Sequence, residues 1–253
     1  MTLAAKKTIT IKGSTTVLPI AQSCAEAFMN TRSDIDISVQ GGGSGVGIAS
    51  AIDGTADIGD ASRPAKDKEF AKAKENGIEL YENVVAMDGI AVIVHPSNSC
   101  SALTKDQIKD IYTGKISDWK ELGGKKGKIV VVSRDSASGT FETFNELALD
   151  KEKVRPDALL NASNRAVATT IATTPQAIGY VGLGYLTDDV KGVQVNGIKP
   201  TKDNVVNGSY ALSRKLFMYT NGAPKGAVKE FLDYVMSSEG QKLVDKAGFV
   251  AIK

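Results

Sequence analysis

A chain of 253 residues, 42% hydrophobic and 24% charged, is long enough for one large domain or two modest ones, each with its own core. Its net charge of +2 sets up no field that would draw nucleic acid or an acidic membrane surface, so neither is expected as a partner. The longest apolar runs, such as Gly89 to Val94, are far too short to span a bilayer.

The N-terminus, MTLAAKKTITIKG, lacks the apolar core of a signal peptide and passes at once into the alternation Thr8-Ile9-Thr10-Ile11. The chain is therefore either cytosolic or a mature form that has lost a signal and gained a start methionine. Periodicity then predicts a strand over 8–12, a helix over 16–30, a strand over 35–39 and a helix over 44–53. A short strand ends at Asp57 to Gly59, a charged helix covers 67–76, and 84–94 is rich in strand character. Further along come a helix over 104–112, a strand over 129–133, helices over 140–149 and 163–174, and strands over 178–181 and 212–220. Helices over 225–236 and 239–246 close the chain. Repeated strand–helix–strand order with short connections predicts an α/β protein with helices on both faces of its sheets, without internal repeats or a linker.

The single histidine, His95, ends an apolar strand ahead of Pro96 and reads as a structural turn residue. One histidine rules out a His-rich metal site and restricts any Ser-His-Asp arrangement to His95. Cys24 and Cys100 are too few for a disulfide framework and lack zinc-site spacing. Cys24 lies in an amphipathic helix and reads as a buried free thiol, with a Cys24–Cys100 disulfide as the alternative.

Three strand-to-helix junctions share one design: Gly13-Ser14-Thr15-Thr16, Gly41-Gly42-Gly43-Ser44-Gly45 and Arg134 through Ser138-Gly139-Thr140. A helix N-terminus presents backbone N–H groups and partial positive charge, and Ser or Thr adds a hydroxyl donor, so an anion fits there. Each junction alone is equally an ordinary N-cap. Three together, one with an arginine, favour a small oxyanion, since loops at strand C-termini gather around the ligand crevice of an open α/β sheet. Nucleotide motifs fail: no GxxxxGK[ST] occurs, and Val46 stands where both GxGxxG and GxSxG need glycine. Ser62 and Arg63, after a strand, offer another hydroxyl and cation. Asp88 sits inside an apolar strand run, where a carboxylate must be paired or used.

GSTTVLPIAQ, SVQGGGSGVGI, ADIGDASRP, AMDGIAVIVHPSN, LTKDQIKDIYTGKISDW, SRDSASGTFETF and AIGYVGLGYL, in this order, resemble the periplasmic phosphate-binding proteins of ABC transporters, over roughly Thr8 to Ile252. The resemblance implies a two-lobed type II periplasmic-binding-protein fold, α/β, each lobe a mixed sheet flanked by helices. It implies phosphate held between lobes joined by two crossover strands. Lobe I would be 1–87 plus 193–253 and lobe II 88–192, with crossovers near Val85–Ile90 and Leu186–Val195.

Carried over by motif, the phosphate ligands would be Ser14, Thr15, Thr16, Ser44, Ser62, Arg63, Asp88, Arg134, Ser138, Gly139 and Thr140. Some members carry aspartates where this chain has Ser62 and Ser136. Asp88 is then expected to accept the phosphate proton, with Arg63 adding a positive contact or locking that carboxylate, and Asp60 and Asp135 as fallback acceptors. An acceptor facing an acceptor in a desolvated site costs on the order of several kcal/mol, which is how a carboxylate would reject sulfate. The implied function is capture of inorganic phosphate and delivery to an ABC permease in the inner membrane, by a periplasmic monomer with no cofactor, metal or catalytic residue. Alternatives are a receptor for sulfate, molybdate or a phosphonate, a phosphate sensor, or a metal-dependent phosphatase using Asp88 and a serine.

Overall fold

A computed structural model describes residues 6–253; the first five residues, part of the segment read above for a leader, lie outside it. The alternating run becomes β1 (Lys7–Gly13), with Ile9 and Ile11 buried. α1 (Leu18–Thr31) carries Pro19 in its first turn, where the missing N–H has no helical partner to lose, and buries Ile20, Ala21, Cys24, Ala25 and Phe28. β2 (Ile35–Gly41), α2 (Ser44–Ile52), β3 (Ile58–Ala61), α3 (Asp67–Glu75) and the long β4 (Leu80–Val94) follow. The middle of the chain forms β5 (Ala102–Leu103), α4 (Lys105–Thr113), β6 (Val130–Arg134), α5 (Gly139–Ala148), β7 (Leu159–Asn161), α6 (Asn164–Thr173) and β8 (Ala177–Gly182). Then come β9 (Lys191–Gly192), β10 (Gln194–Val195), α7 (Lys202–Val206), β11 (Ser213–Asn221), α8 (Gly226–Val235) and α9 (Ser238–Lys246). Among the described residues no helix is long and apolar enough to cross a membrane.

The chain divides into two compact units. The first holds the residues up to Ala86 with Lys215–Ala247 and Ala251–Lys253; the second holds Met87–Arg214 with Gly248–Val250. In the first, the strand order β2-β1-β3-β11 is parallel except for the antiparallel pair β3–β11. Ile48, Ala51, Ile52, Ala61, Ala73, Leu80, Phe217 and Tyr219 make one core cluster of this unit. Phe28 of α1 meets Phe231 and Tyr234 at ring distances of 5.7 and 5.5 Å, which docks α8. In the second unit the order is β4-β8-β6-β7, with β4–β8 antiparallel and the other pairs parallel. Tyr112, Phe144 and Tyr180 form its aromatic centre. Cys24 and Cys100 are both free thiols, and burial pushes the Cys24 thiol up to about 12.

The division differs from the sequence reading, which also placed Met87 and Gly248–Val250 in lobe I. Residues 193–214, assigned above to lobe I, belong to the second unit. β9 pairs with β4, Val193 N–H donates to Val92 C=O at 2.8 Å, and β10 pairs with β5. The chain returns to the first unit inside β11, not near Leu186–Val195. Strands of two residues carry no readable period, so these pairings left no trace in the sequence pattern.

Gly13, Gly47 and Gly59 bring α2 directly onto β1 and β3. A Cβ on Gly47 would lie 2.4 Å from the Asp60 carbonyl oxygen and 2.7 Å from that of Lys12, and one on Gly59 would lie 2.4 Å from the Gly47 carbonyl oxygen. Every one of these neighbours is backbone, so no side chain can yield. Gly47→Ala should therefore lower the stability of the protein by roughly 1–3 kcal/mol, the usual range for overpacking. Urea unfolding checks this, and an unchanged midpoint would contradict the close-approach account.

Candidate functional site

In the first unit the donors gather at the C-terminal ends of β1 and β3 and the starts of α1 and α2. Ser14 N–H donates to the Asp60 carbonyl at 2.9 Å. Ser14 Oγ accepts from Thr16 N–H at 3.1 Å and from Val17 N–H at 3.4 Å, so it caps the turn that leads into α1. At α2, Gly43 occupies the N-cap with φ of 95°, a left-handed conformation that glycine adopts without strain, and its N–H donates to Gly13 C=O at 2.8 Å. Ser44 Oγ accepts from Ser62 N–H at 2.9 Å and lies 3.2 Å from Ser62 Oγ. Capping uses a hydroxyl lone pair and leaves its proton, so the Ser14 cap and an outward O–H donor coexist. Ser14, Thr15, Thr16, Ser44 and Ser62 are all buried.

Arg63 is buried too, but its guanidinium fork grips Glu69 with two bonds of 2.8 Å and donates to Pro64 C=O at 2.9 Å. Partial burial pushes the Glu69 carboxyl up, and hydrogen bonds from Arg63 and Lys66 N–H outweigh it, holding that carboxyl below its ordinary range. Glu69, six residues on, neutralises Arg63 within the same unit. Asp60 is the anomaly of this unit. It is 1% exposed, and its Oδ1 has no hydrogen-bond partner. Burial pushes its pKa well above the ordinary aspartate value.

In the second unit β6 delivers Arg134, which is buried. Its Nε donates to Asn161 C=O at 2.9 Å and its Nη2 to Ala162 C=O at 3.0 Å, so the end of β7 orients the guanidinium. Burial pulls the Arg134 pKa down, while Tyr180 and Asp135 oppose that pull. Five residues after Arg134, α5 begins, with Ser138 as its N-cap accepting from Phe141 N–H at 3.1 Å. Ser138, Gly139 and Thr140 are buried at this helix start. Asp135 Oδ1 is taken by Ala137 N–H at 2.9 Å, and Ser136 is exposed.

Asp88 is fully buried and both its carboxylate oxygens are engaged. Oδ2 accepts from Arg214 Nε and Nη2 at 2.9 and 2.7 Å, Oδ1 accepts from Leu183 N–H at 2.9 Å, and Gly89 N–H also bonds the carboxylate. Three of these hydrogen bonds thus occupy the two oxygens, two on Oδ2 and one on Oδ1. Burial raises the Asp88 pKa, and the Arg214 charge and hydrogen bonds oppose the rise. The carboxylate expected to take a phosphate proton is thus paired with Arg214 and Leu183 N–H inside its own unit. Arg214 was not foreseen: it lies between Ser213 and Lys215 ahead of the apolar stretch Leu216 to Tyr219, and nothing local marks it as buried. His95 closes a turn, its Nδ1 accepting from Ser97 N–H at 3.1 Å. Among the described residues no group of three or more His, Cys, Asp or Glu side chains is placed to hold a metal ion.

These donor sets, built of hydroxyls, helix starts and one arginine, suit an oxyanion. A sequence model of the PBP superfamily domain matches residues 2–239. The phosphate-binding protein PstS of Bacillus subtilis is 40% identical over 250 residues, which cover 98% of this chain and 82% of that protein. PstS of Staphylococcus epidermidis is 37% identical over 95% of this chain and 77% of its own. A solved chain from Clostridium perfringens, described as a phosphate ABC transporter substrate-binding protein with bound phosphate, matches with a TM-score of 0.91 at 38% identity. That match covers 98% of this chain and 100% of the other. An ABC-type phosphate transport receptor from Vibrio cholerae matches with a TM-score of 0.78 at 32% identity, over 96% and 99% of the two chains. The fold is the type II periplasmic-binding-protein fold. The chain belongs to the PBP superfamily and, within it, to the family of PstS phosphate-binding proteins.

The buried Asp88–Arg214 pair makes a direct prediction. Asp88→Asn leaves a buried guanidinium without its counter-ion, which should lower the stability of the ligand-free protein by roughly 3–5 kcal/mol. Chemical denaturation measures it; a loss under about 1 kcal/mol would show that Arg214 finds compensation elsewhere.

Proposed function

We propose that this chain captures inorganic phosphate and passes it to the permease of an ABC transporter in the inner membrane. It works in the periplasm as a monomer and without a catalytic step. The observation that supports this reading best is the burial of Ser14, Thr15, Thr16, Ser44, Ser62, Arg134, Ser138, Gly139 and Thr140, a hydrogen-bonding set gathered at strand-to-helix junctions. Buried polar groups persist when something satisfies them, and the chemistry of this set is that of an oxyanion's partners. In this reading Arg134 supplies the charge. Arg63, held by Glu69, and Asp88, held by Arg214, support the loops that carry the donors. Isothermal calorimetry with an anion panel tests the assignment: phosphate should bind tightly and sulfate should not displace it. Tighter binding of sulfate or molybdate would move the reading to another tetrahedral oxyanion.

The proton-reading group is then Asp60. Buried, with one carboxylate oxygen unmatched and its pKa raised by that burial, it can share one proton with phosphate, either as acid beside HPO4 2− or as carboxylate beside H2PO4−. Sulfate has no proton and matches only the acid form. Asp60→Asn should weaken phosphate binding about tenfold, the cost of roughly 1–3 kcal/mol for one mismatched buried polar group, and should let sulfate compete. Unchanged phosphate affinity and unchanged sulfate exclusion would remove Asp60 from the site.

The same residue fixes the sign of a stability effect. Above about pH 3.9 the unfolded chain ionises Asp60 while the folded chain keeps the proton. The folded state therefore loses about 1.4 kcal/mol per pH unit, up to the raised folded pKa. Ligand-free Asp60→Asn should melt higher than the natural chain at pH 7, and the difference should vanish as the pH falls towards about 4.

A further inference from the structure

Tyr180, on β8, is fully buried and belongs to neither donor set. The β6–β8 ladder covers only Val130–Ala177 and Val131–Ile178, stopping short of Arg134. Beyond it the Tyr180 hydroxyl becomes the link, accepting Arg134 N–H at 3.2 Å and lying 2.9 Å from Ser133 Oγ. Burial pushes the phenol pKa up, so it keeps its proton, and in the contact with Ser133 Oγ either hydroxyl can donate. The face of the same ring stacks on Phe144, with centroids 3.9 Å apart and planes 12° apart. Phe144 lies on α5, whose first turn holds Gly139 and Thr140. Tyr112 closes on both rings at 5.7 and 5.0 Å, leaving the phenol little freedom to move.

One side chain therefore touches both elements that carry the donors of the second unit. We propose that Tyr180 is the positioning residue of the phosphate site, its hydroxyl fixing the backbone of Arg134 while its ring fixes α5. The relation between the guanidinium and the helix start is then set by one rigid aromatic side chain. The Asn161 and Ala162 carbonyls orient the far end of the same guanidinium, so Arg134 is held at its backbone and at its tip. This proposal rests on the phosphate reading above for its ligand, but not for its geometry.

The test is Tyr180→Phe, which keeps the ring and its stack and removes only the hydroxyl. Phosphate affinity, measured by calorimetry at a temperature where thermal melts show both proteins folded, should fall about tenfold, as one buried N–H loses its partner. A global loss of stability leaves the affinity of the folded protein alone, so the affinity change separates positioning from bulk structure. The Arg134 Nε–H resonance, read by 15N NMR without ligand, should also shift or broaden in the variant. Phe144→Leu, which keeps the hydroxyl and removes the stack, should weaken phosphate severalfold and serves as the second variant. Affinity within twofold of the natural chain in Tyr180→Phe, with an unmoved Arg134 resonance, overturns the proposal. If the natural chain fails to bind phosphate at all, the functional reading falls, and the ligand-free resonance still decides whether Tyr180 positions Arg134.

Discussion

A carboxylate and a guanidinium buried together, Asp88 and Arg214, are the constraint on which the second unit is organised. Removing both charges from water is costly, and the two-pronged ion pair together with the bond from Leu183 N–H offsets that cost. The pair joins β4 to β11 close to the points where the chain passes between units. Through Leu183 N–H it also fixes the backbone just after β8. β8 presents Tyr180 to Arg134, so the register set at Asp88 reaches the site arginine through one strand.

The first unit solves a different problem. Its helix α2 lies so close to β1 and β3 that only glycines fit, and this brings Ser44 against Ser62. Its serines serve as caps and as donors at once, because a hydroxyl accepts through oxygen and donates through hydrogen. Asp60 breaks the rule that buried polar atoms are satisfied. Such a group lowers the stability of the empty protein and makes sense as a place where a ligand supplies the missing partner, a common exchange of stability for function.

Much of this was legible in the chain. Helices and strands long enough to show a period stand close to where the pattern put them, α1, α2 and α5 among them. The junctions Ser14–Thr16, Ser44 and Ser138–Thr140 were legible because glycine and hydroxyl residues after a strand are what a helix start requires. β5, β9 and β10 were not, since two residues carry no alternation, and the 193–214 segment was placed in the wrong unit as a result. β7, only three residues long, was missed as well, and with it the carbonyls of Asn161 and Ala162 that hold Arg134.

The amino-acid sequence by itself determined the α/β class, the family and the positions of the donor-rich junctions, because these depend on local spacing and on residue type. Only the tertiary structure decided which charge meets which. Arg63 pairs with Glu69, Asp88 pairs with Arg214, and Asp60 is buried with an oxygen unmatched. The physical reason is that a charge in the interior is settled by whatever lies within hydrogen-bond reach. For Asp88 that group is 126 residues away along the chain, and no local pattern encodes it.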